Sequence, residues 1–489
     1  MGLPPLNRST RPVPHKPERI LQFGEGNFLR CFADWAIQRM NVKGVFDAGV
    51  AIVQPIQQGL INLLNEQNGL YTVCLTALDS GVTIRTSELV DCIQRGINPY
   101  ADFTGFLQTA HNPDMQFVVS NTTEAGIAFS SKDKLEDSPP NSFPGKLTRW
   151  LWERFQAFSG ATDKGVVLLP CELIDKNGQT LKSTVLQFAQ SWSLPDAFSE
   201  WVNQACVFCN TLVDRIVPGY PKDRVHALQA ELGYEDKLLV EGEYFHLWVI
   251  EAPDHVAKQF PAPAAGLNVI FTKDLTPYRD RKVRILNGAH TSMVPIGYLS
   301  ALSTVKETVE HGLIGRFVRD LVFEEIIPTL DLPQEALQQY ANEVLGRFRN
   351  PFIRHELLSI GLNSISKFQT RVLPSLLAFR HRKKHLPKRI VFSLAALIRF
   401  YAGEFGGETI PLNDNSLWVE WFHGLWSRER HGTIRLEDLV KEVLSRKEIW
   451  GSDLTHVEGL TELTTEYLQA IDLGEMEQVL KSFSRPGSH

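Results

Sequence analysis

The sequence predicts an α/β fold, with an N-terminal doubly wound parallel sheet followed by a mostly α-helical C-terminal domain. Three observations predict it. Short, uninterrupted apolar runs alternate with helix-spaced segments through the first half. The first of these runs ends at two glycines and passes at once into a helix. Beyond about residue 276 strand-like runs nearly vanish and helical periodicity takes over. Short strands that are apolar throughout belong in parallel sheets covered on both faces, with helices as the crossovers.

The elements follow in order. Residues 19–23 (Arg-Ile-Leu-Gln-Phe) read as a buried strand, and Gly24 and Gly26 close it. Phe28, Phe32, Trp35, Ala36 and Met40 then recur at helical spacing. A second strand is expected at 50–53, with further strands at 117–120, 166–169 and 269–271. Helices are expected over 282–302, 314–323, 333–347, 355–362, 387–403 and 436–445. The change of texture divides the chain into residues 1–275 and 276–489.

Composition narrows the class. The 489 residues are 43% hydrophobic and 22% charged, which is ordinary for a globular protein. The formal net charge is −6, with 50 basic and 56 acidic side chains. No global basic character draws the molecule to nucleic acid. The one basic run, 380–389, lacks interleaved aromatics and reads as a solvated connection between helices. Six cysteines lack the spacing of a secreted framework, which suits a reducing compartment. Cys206 and Cys209 form a lone C-x-x-C with no second pair, read as helix-side cysteines rather than a zinc site. Residues 1–19 have no apolar stretch of the signal-peptide kind, and no run is long enough to span a bilayer. A cytoplasmic protein without metal, membrane or nucleic-acid partner is expected; the oligomeric state is open.

The turn after the first strand reads Phe23-Gly24-Glu25-Gly26-Asn27-Phe28. Glycines there let a backbone approach a pyrophosphate, and the helix start offers free N–H groups to it. The dinucleotide fingerprint would place a third glycine at Leu29, so the match is G-x-G alone. A tight turn that binds nothing has the same pattern. The second strand ends on Val53-Gln54-Pro55, with neither an acid for the NAD ribose nor an arginine for a 2′-phosphate. Gln54 is the residue left to meet the ribose. The loop Ser120-Asn121-Thr122-Thr123-Glu124-Ala125-Gly126 follows another strand at the carboxyl edge of the sheet. Asn121, Thr123 and Glu124 are cofactor candidates there, and a capped helix start is the alternative.

Lys282, Asn287 and His290 form the most informative group. Lys282 and His290 lie two turns apart near one helix face, and Asn287 neighbours His290. Hydride transfer at carbon needs a proton moved at oxygen. A lysine does this when burial beside other cations lowers its pKa. An amide can donate to a developing alkoxide, and an imidazole can hold a neighbouring hydroxyl. A solvent-facing lysine with a helix-packing histidine is the other reading of this spacing.

K-x4-N-x2-H after Pro277-Tyr278-Arg279 resembles the signature of the polyol-specific long-chain dehydrogenases, the mannitol dehydrogenase family. Gly24-x-Gly26-x-Phe28 with Arg30 is similar to that family's cofactor turn, and Val213-Asp214-Arg215-Ile216 to another of its segments. Residues 22–30, 120–126, 170–175 and 346–351 resemble the branch that acts on hexuronates. The resemblance implies a Rossmann-type NAD(H) domain, a helical substrate domain and no metal. It also implies a hexuronate or aldonate substrate, with Lys282 as acid/base, Asn287 in an oxyanion site and His290 as substrate ligand. Members acting on mannitol or fructuronate, and an NAD-retaining sugar epimerase, are the alternatives. One departure stands out. After the cysteine matching Cys171 the mannitol enzymes carry Asp-Asn, whereas this chain has Glu172-Leu173, which removes one oxyanion donor. Lys367 stands where those enzymes place a substrate arginine. Lys367, Arg349, Arg354 and Arg371 are the candidates for a carboxylate, with Asp214 a further substrate contact.

Overall fold

The computed structural model describes residues 2–79, 82–122, 126–351 and 354–483. The chain forms two compact units, residues 1–275 and 276–489.

The first unit is built on six parallel strands. In chain order these are β1 (Glu18–Phe23), β2 (Gly49–Val53), β5 (Ile93–Ile97), β6 (Phe117–Ser120), β7 (Val167–Pro170) and β8 (Val207–Phe208). Between β2 and β5 the chain makes the antiparallel pair β3 (Tyr71–Asp79) and β4 (Val82–Val90). The spatial order is β5-β2-β1-β6-β7-β8. Counted within this sheet alone, that is 3-2-1-4-5-6, the doubly wound order of a dinucleotide-binding fold. The order reverses between β1 and β6, which pair in register from Ile20 on Phe117 to Phe23 on Ser120. A crevice opens at such a reversal, beyond the carboxyl ends of the strands.

The apolar runs are continuous because both faces of the sheet are buried. Ile20, Val50, Ile52, Phe117, Val119 and Leu169 enter one core. Their neighbours Leu21, Ala51, Val53, Val118 and Leu168 enter the other. Alternate residues of a strand point to opposite faces, so a strand buried twice must be apolar at every step.

Two smaller sheets complete the unit. One has the order β10-β3-β4, with β10 at Val240–Glu243; the other has the order β12-β11-β9. In the latter, β9 (Asn210–Asp214) pairs antiparallel with β11 (Leu247–Glu251), and β12 (Val269–Thr272) parallel with it. The strand expected at 269–271 therefore forms, but in this separate sheet rather than the main one. Cys206 and Cys209 flank β8 instead of lying on a helix. Both are buried, and burial pushes both thiols up to about 12.

The second unit is helical around one apolar core, apart from a two-stranded hairpin at Glu404–Phe405 and Glu408–Thr409. Helix Lys388–Phe400 is buried over most of its length and packs against Gly288–Leu299 and Leu460–Asp472. The helix expected over 355–362 shrinks to Leu357–Ile360. The basic run begins as the last turn of helix Leu373–Lys383 and is not merely solvated. Arg380 pairs with Glu458, Arg382 with Asp331, and Arg389 with Asp320, Glu324 and Glu325. No helix among the described residues is long and apolar enough to cross a membrane.

Candidate functional site

The turn after β1 is glycine-dependent at one position and open at the other. Gly24 has φ +116°, a conformation that L side chains rarely adopt. A Cβ there would also sit 3.1 Å from the carbonyl oxygen of Asn121. The Asn121 N–H donates to Phe23 O at 3.2 Å, so the ends of β1 and β6 are laced together at the reversal point. Gly26 is different. It is exposed, caps the helix, and a Cβ built on it would meet nothing within 4 Å. The helix it opens, α1, runs through Asn27–Leu29, Arg30–Asp34 and Trp35–Val42, with a π-helical middle segment. An open glycine at a helix start on the carboxyl edge of a parallel sheet fits a dinucleotide pyrophosphate.

The other cofactor candidates differ in what they offer. Phe23 is fully buried against Phe106 and Phe143, so only its backbone reaches the turn. Asn27 is exposed, and its Oδ1 accepts from Arg30 Nη2 at 2.6 Å. Arg30 is buried, donates to Glu25 O and Leu238 O, and so clamps the turn from behind. Phe28 is half-buried and stacks on Phe32 at 5.0 Å. Gln54 is buried, and its Nε2 donates to Ile56 O and Gln57 O. Asn121 is half-buried, and Thr123 and Glu124 lie outside the described residues.

Glu172, which sequence reasoning treated only as a departure, closes this edge. Its buried carboxyl accepts from Ser120 Oγ at 3.0 Å and from the Thr122 N–H at 3.1 Å. Burial raises its pKa, against those hydrogen bonds. Leu173 is exposed. Asp214 is buried at the end of β9, opposite Leu247. The neighbouring Arg215 is a structural clip, lying 4.0 Å over the Trp35 ring and donating to Phe245 O.

In the second unit, Thr276–Arg281, Lys282–Asn287 and Gly288–Leu299 run on as one helix, α2. Lys282–Asn287 is π-helical. In an α-helix, residues five apart point roughly 140° from each other, at about 100° per residue. The wider π turn bonds i to i+5 and brings them nearly over one another. The π segment therefore turns Lys282 toward the face that carries Asn287 and His290.

Lys282 and His290 are both buried, and Asn287 is half-buried. The His290 ring stacks on Phe348 at 4.3 Å and meets His355 edge-on at 5.1 Å. Its Nε2 is buried with no hydrogen-bond partner among the described residues. Burial, followed by His355, Arg371, Arg347 and Lys282, holds the His290 pKa well below the usual imidazole range. Burial lowers His355 to about 4. Two neutral imidazoles thus face each other among cations, and an orphaned buried nitrogen needs a partner from elsewhere.

Of the carboxylate candidates, Arg371 acts on His290, whereas Lys367 donates from Nζ to Ile360 O at 2.9 Å. Arg349 is exposed at the end of helix Gln334–Phe348, and Arg354 is exposed and paired with Glu356. Two residues went unread in the sequence. Arg347 stands beside the Phe348 that stacks on His290. His355, expected only as the first residue of a helix, lies outside regular structure. No cluster of three or more His, Cys, Asp or Glu that could hold a metal occurs among the described residues.

The chain is similar to known proteins along nearly its whole length. Residues 18–262 match the mannitol dehydrogenase Rossmann domain, and residues 274–472 the mannitol dehydrogenase C-terminal domain. The chain is 49% identical over 480 residues to the altronate oxidoreductase of Yersinia enterocolitica, covering 98% of this chain and 99% of that one. It is 48% identical over 482 residues to that of Escherichia coli (strain HS), with the same coverage. Pseudomonas fluorescens mannitol 2-dehydrogenase, solved with NAD and D-mannitol, superposes with a TM-score of 0.78 at 20% identity, covering 98% of this chain and 99% of that one. A D-sorbitol dehydrogenase superposes equally well, with a TM-score of 0.78 at 20% identity, covering 97% and 100%. With both domain models matched in order and near-complete relatives at almost half identity, the chain belongs to the mannitol dehydrogenase family.

Proposed function

We propose that the chain is an NAD(H)-dependent oxidoreductase that interconverts tagaturonate and altronate. Residues 1–275 hold the dinucleotide, and residues 276–489 hold the sugar acid and move its proton. The observation that carries this reading is His290 Nε2, buried and unpartnered among Lys282, Arg347 and Arg371. A neutral ketose brings hydroxyls alone to such a place; a sugar acid also brings the negative charge that these cations favour. The near full-length likeness to altronate oxidoreductases supports the same substrate class.

NAD(H), when bound, takes or supplies the hydride at the reacting carbon. The protein moves the proton. In oxidation, Lys282 Nζ accepts the proton of the substrate hydroxyl; in reduction it returns a proton to the carbonyl oxygen. Asn287 donates its amide N–H to that oxygen as negative charge develops. His290, kept neutral by burial and its neighbours, exchanges a hydrogen bond with an adjacent hydroxyl. Arg371 and Arg347 set a positive field for the carboxylate. Either guanidinium can take a carboxylate bidentately, as the Lys367 ammonium cannot.

A panel of NADH-oxidation assays with tagaturonate, fructuronate and fructose tests the reading. A clear preference for tagaturonate is expected. Preference for fructuronate would move the chain to a sibling activity, and equal specificity constants for fructose would favour a mannitol 2-dehydrogenase. Stoichiometric NADH release when altronate is mixed with the protein and NAD separates a dehydrogenase from an epimerase that keeps its cofactor.

A further inference from the structure

β2 ends without an acid, yet the fold brings one there. Glu25 sits between the two glycines of the turn after β1. Its side chain is buried and reaches across to the loop after β2, where Oε1 accepts the backbone N–H of Leu60 at 3.1 Å. A Cβ built on Gly59 would collide both with Glu25 Oε1 and with the Gln54 carboxamide. The carboxylate and the Gln54 amide group therefore share the space just beyond β2. Gln54 Nε2 is held by Ile56 O at 2.9 Å and Gln57 O at 3.0 Å, so that donor is already engaged within the loop.

From this juxtaposition we infer that Glu25 is the carboxylate that meets the adenosine ribose of the cofactor and selects NAD(H) over NADP(H). In doubly wound dinucleotide folds the ribose hydroxyls are met by an acid at the second strand. Here the acid comes from the first turn and arrives at the same place. A carboxylate accepts from the ribose hydroxyls and repels a 2′-phosphate. The inference rests on the reading above that this turn holds a nicotinamide dinucleotide.

Direct binding tests it, by titrating NADH and NADPH into the protein and following nucleotide fluorescence. The wild-type chain is expected to bind NADH at least about tenfold more tightly than NADPH, the worth of one hydrogen bond to a charged group. Glu25→Gln keeps an acceptor for the Leu60 N–H and removes the charge. It should weaken NADH, strengthen NADPH, and narrow the ratio about tenfold. The ratio is taken on one preparation, so partial unfolding does not mimic the effect. Equal loss of both nucleotides, or no change in either, would overturn the inference and leave Glu25 a loop support. A wild-type chain that binds NADPH as well as NADH overturns it too. Binding of neither nucleotide by the wild type would remove the cofactor reading and this inference together.

Discussion

The carbonyl oxygen of Asn121 lies 3.1 Å from where a Cβ on Gly24 would stand, while a Cβ on Gly26, two residues on, would meet no protein atom. The two glycines of the turn therefore fail differently when replaced. Gly24→Ala forces an alanine to φ +116° against the end of β6 and should cost about 1–3 kcal/mol of stability. Gly26→Val should fold normally and lose NADH affinity severely, because the new side chain fills the open approach. Thermal melts and NADH titration of both variants check this. Unchanged NADH affinity in Gly26→Val would move the cofactor elsewhere.

Lys282 gives opposite pH dependences in the two directions. Reduction needs it protonated and should fall as pH rises through its pKa; oxidation needs it neutral and should rise over the same range. Lys282→Ala should bind NADH normally and lose roughly 10²–10⁴ in both rates. Parallel profiles, or near-normal turnover in the variant, would take this residue out of the role.

Arg371 and Lys367 should differ as carboxylate ligands. The Lys367 ammonium already donates to Ile360 O, whereas Arg371 lies close enough to His290 to shift its titration. Arg371→Met should raise KM for tagaturonate about 10–100-fold, the loss expected for a charge-assisted contact, with little change for fructose. Lys367→Met should have the smaller effect on KM. The reverse order would restore Lys367, the residue that the family likeness favours.

Asp34 makes stability depend on pH. It is buried in α1, accepts from Tyr71 OH at 2.9 Å and Gln22 Nε2 at 3.3 Å, and burial pushes its pKa up to about 7. Its ordinary value is near 4, so between about pH 4 and 7 the folded state keeps a proton that the unfolded state gives up. That contribution is fully present below pH 4 and is lost as pH rises through about 7, at up to roughly 1.4 kcal/mol per unit. Asp34→Asn keeps an acceptor and removes the titration. Denaturation curves across this window should be flatter for the variant, and an unchanged slope would refute the assignment.

The strands at 19–23, 50–53, 117–120 and 166–169 were legible because doubly buried strands are apolar at every residue, a property of the local sequence. The structure finds them within about a residue. The glycine turn was legible from its G-x-G spacing after a strand, and the helix carrying Lys282, Asn287 and His290 from its helical periodicity. Strand 269–271 was readable as a strand, but its sheet was not, since pairing with Leu247–Glu251 depends on a partner distant from any local signal.

The side chains that surround this group were decided by tertiary structure. Helical spacing already put Lys282 near the face of His290, and the π turn, which spacing does not announce, brings it toward Asn287 as well. Arg347 rather than Arg349 stands against His290, because the helix phase that stacks Phe348 on the imidazole leaves Arg349 at an exposed end. His355 meets His290 from a segment with no regular structure, and Glu25 reaches the loop that follows a strand to which it does not belong. The sequence by itself determined the elements, since burial writes its period into consecutive residues. Strand order, helix register and loop path determined the site, since they bring together residues between which the chain records no spacing.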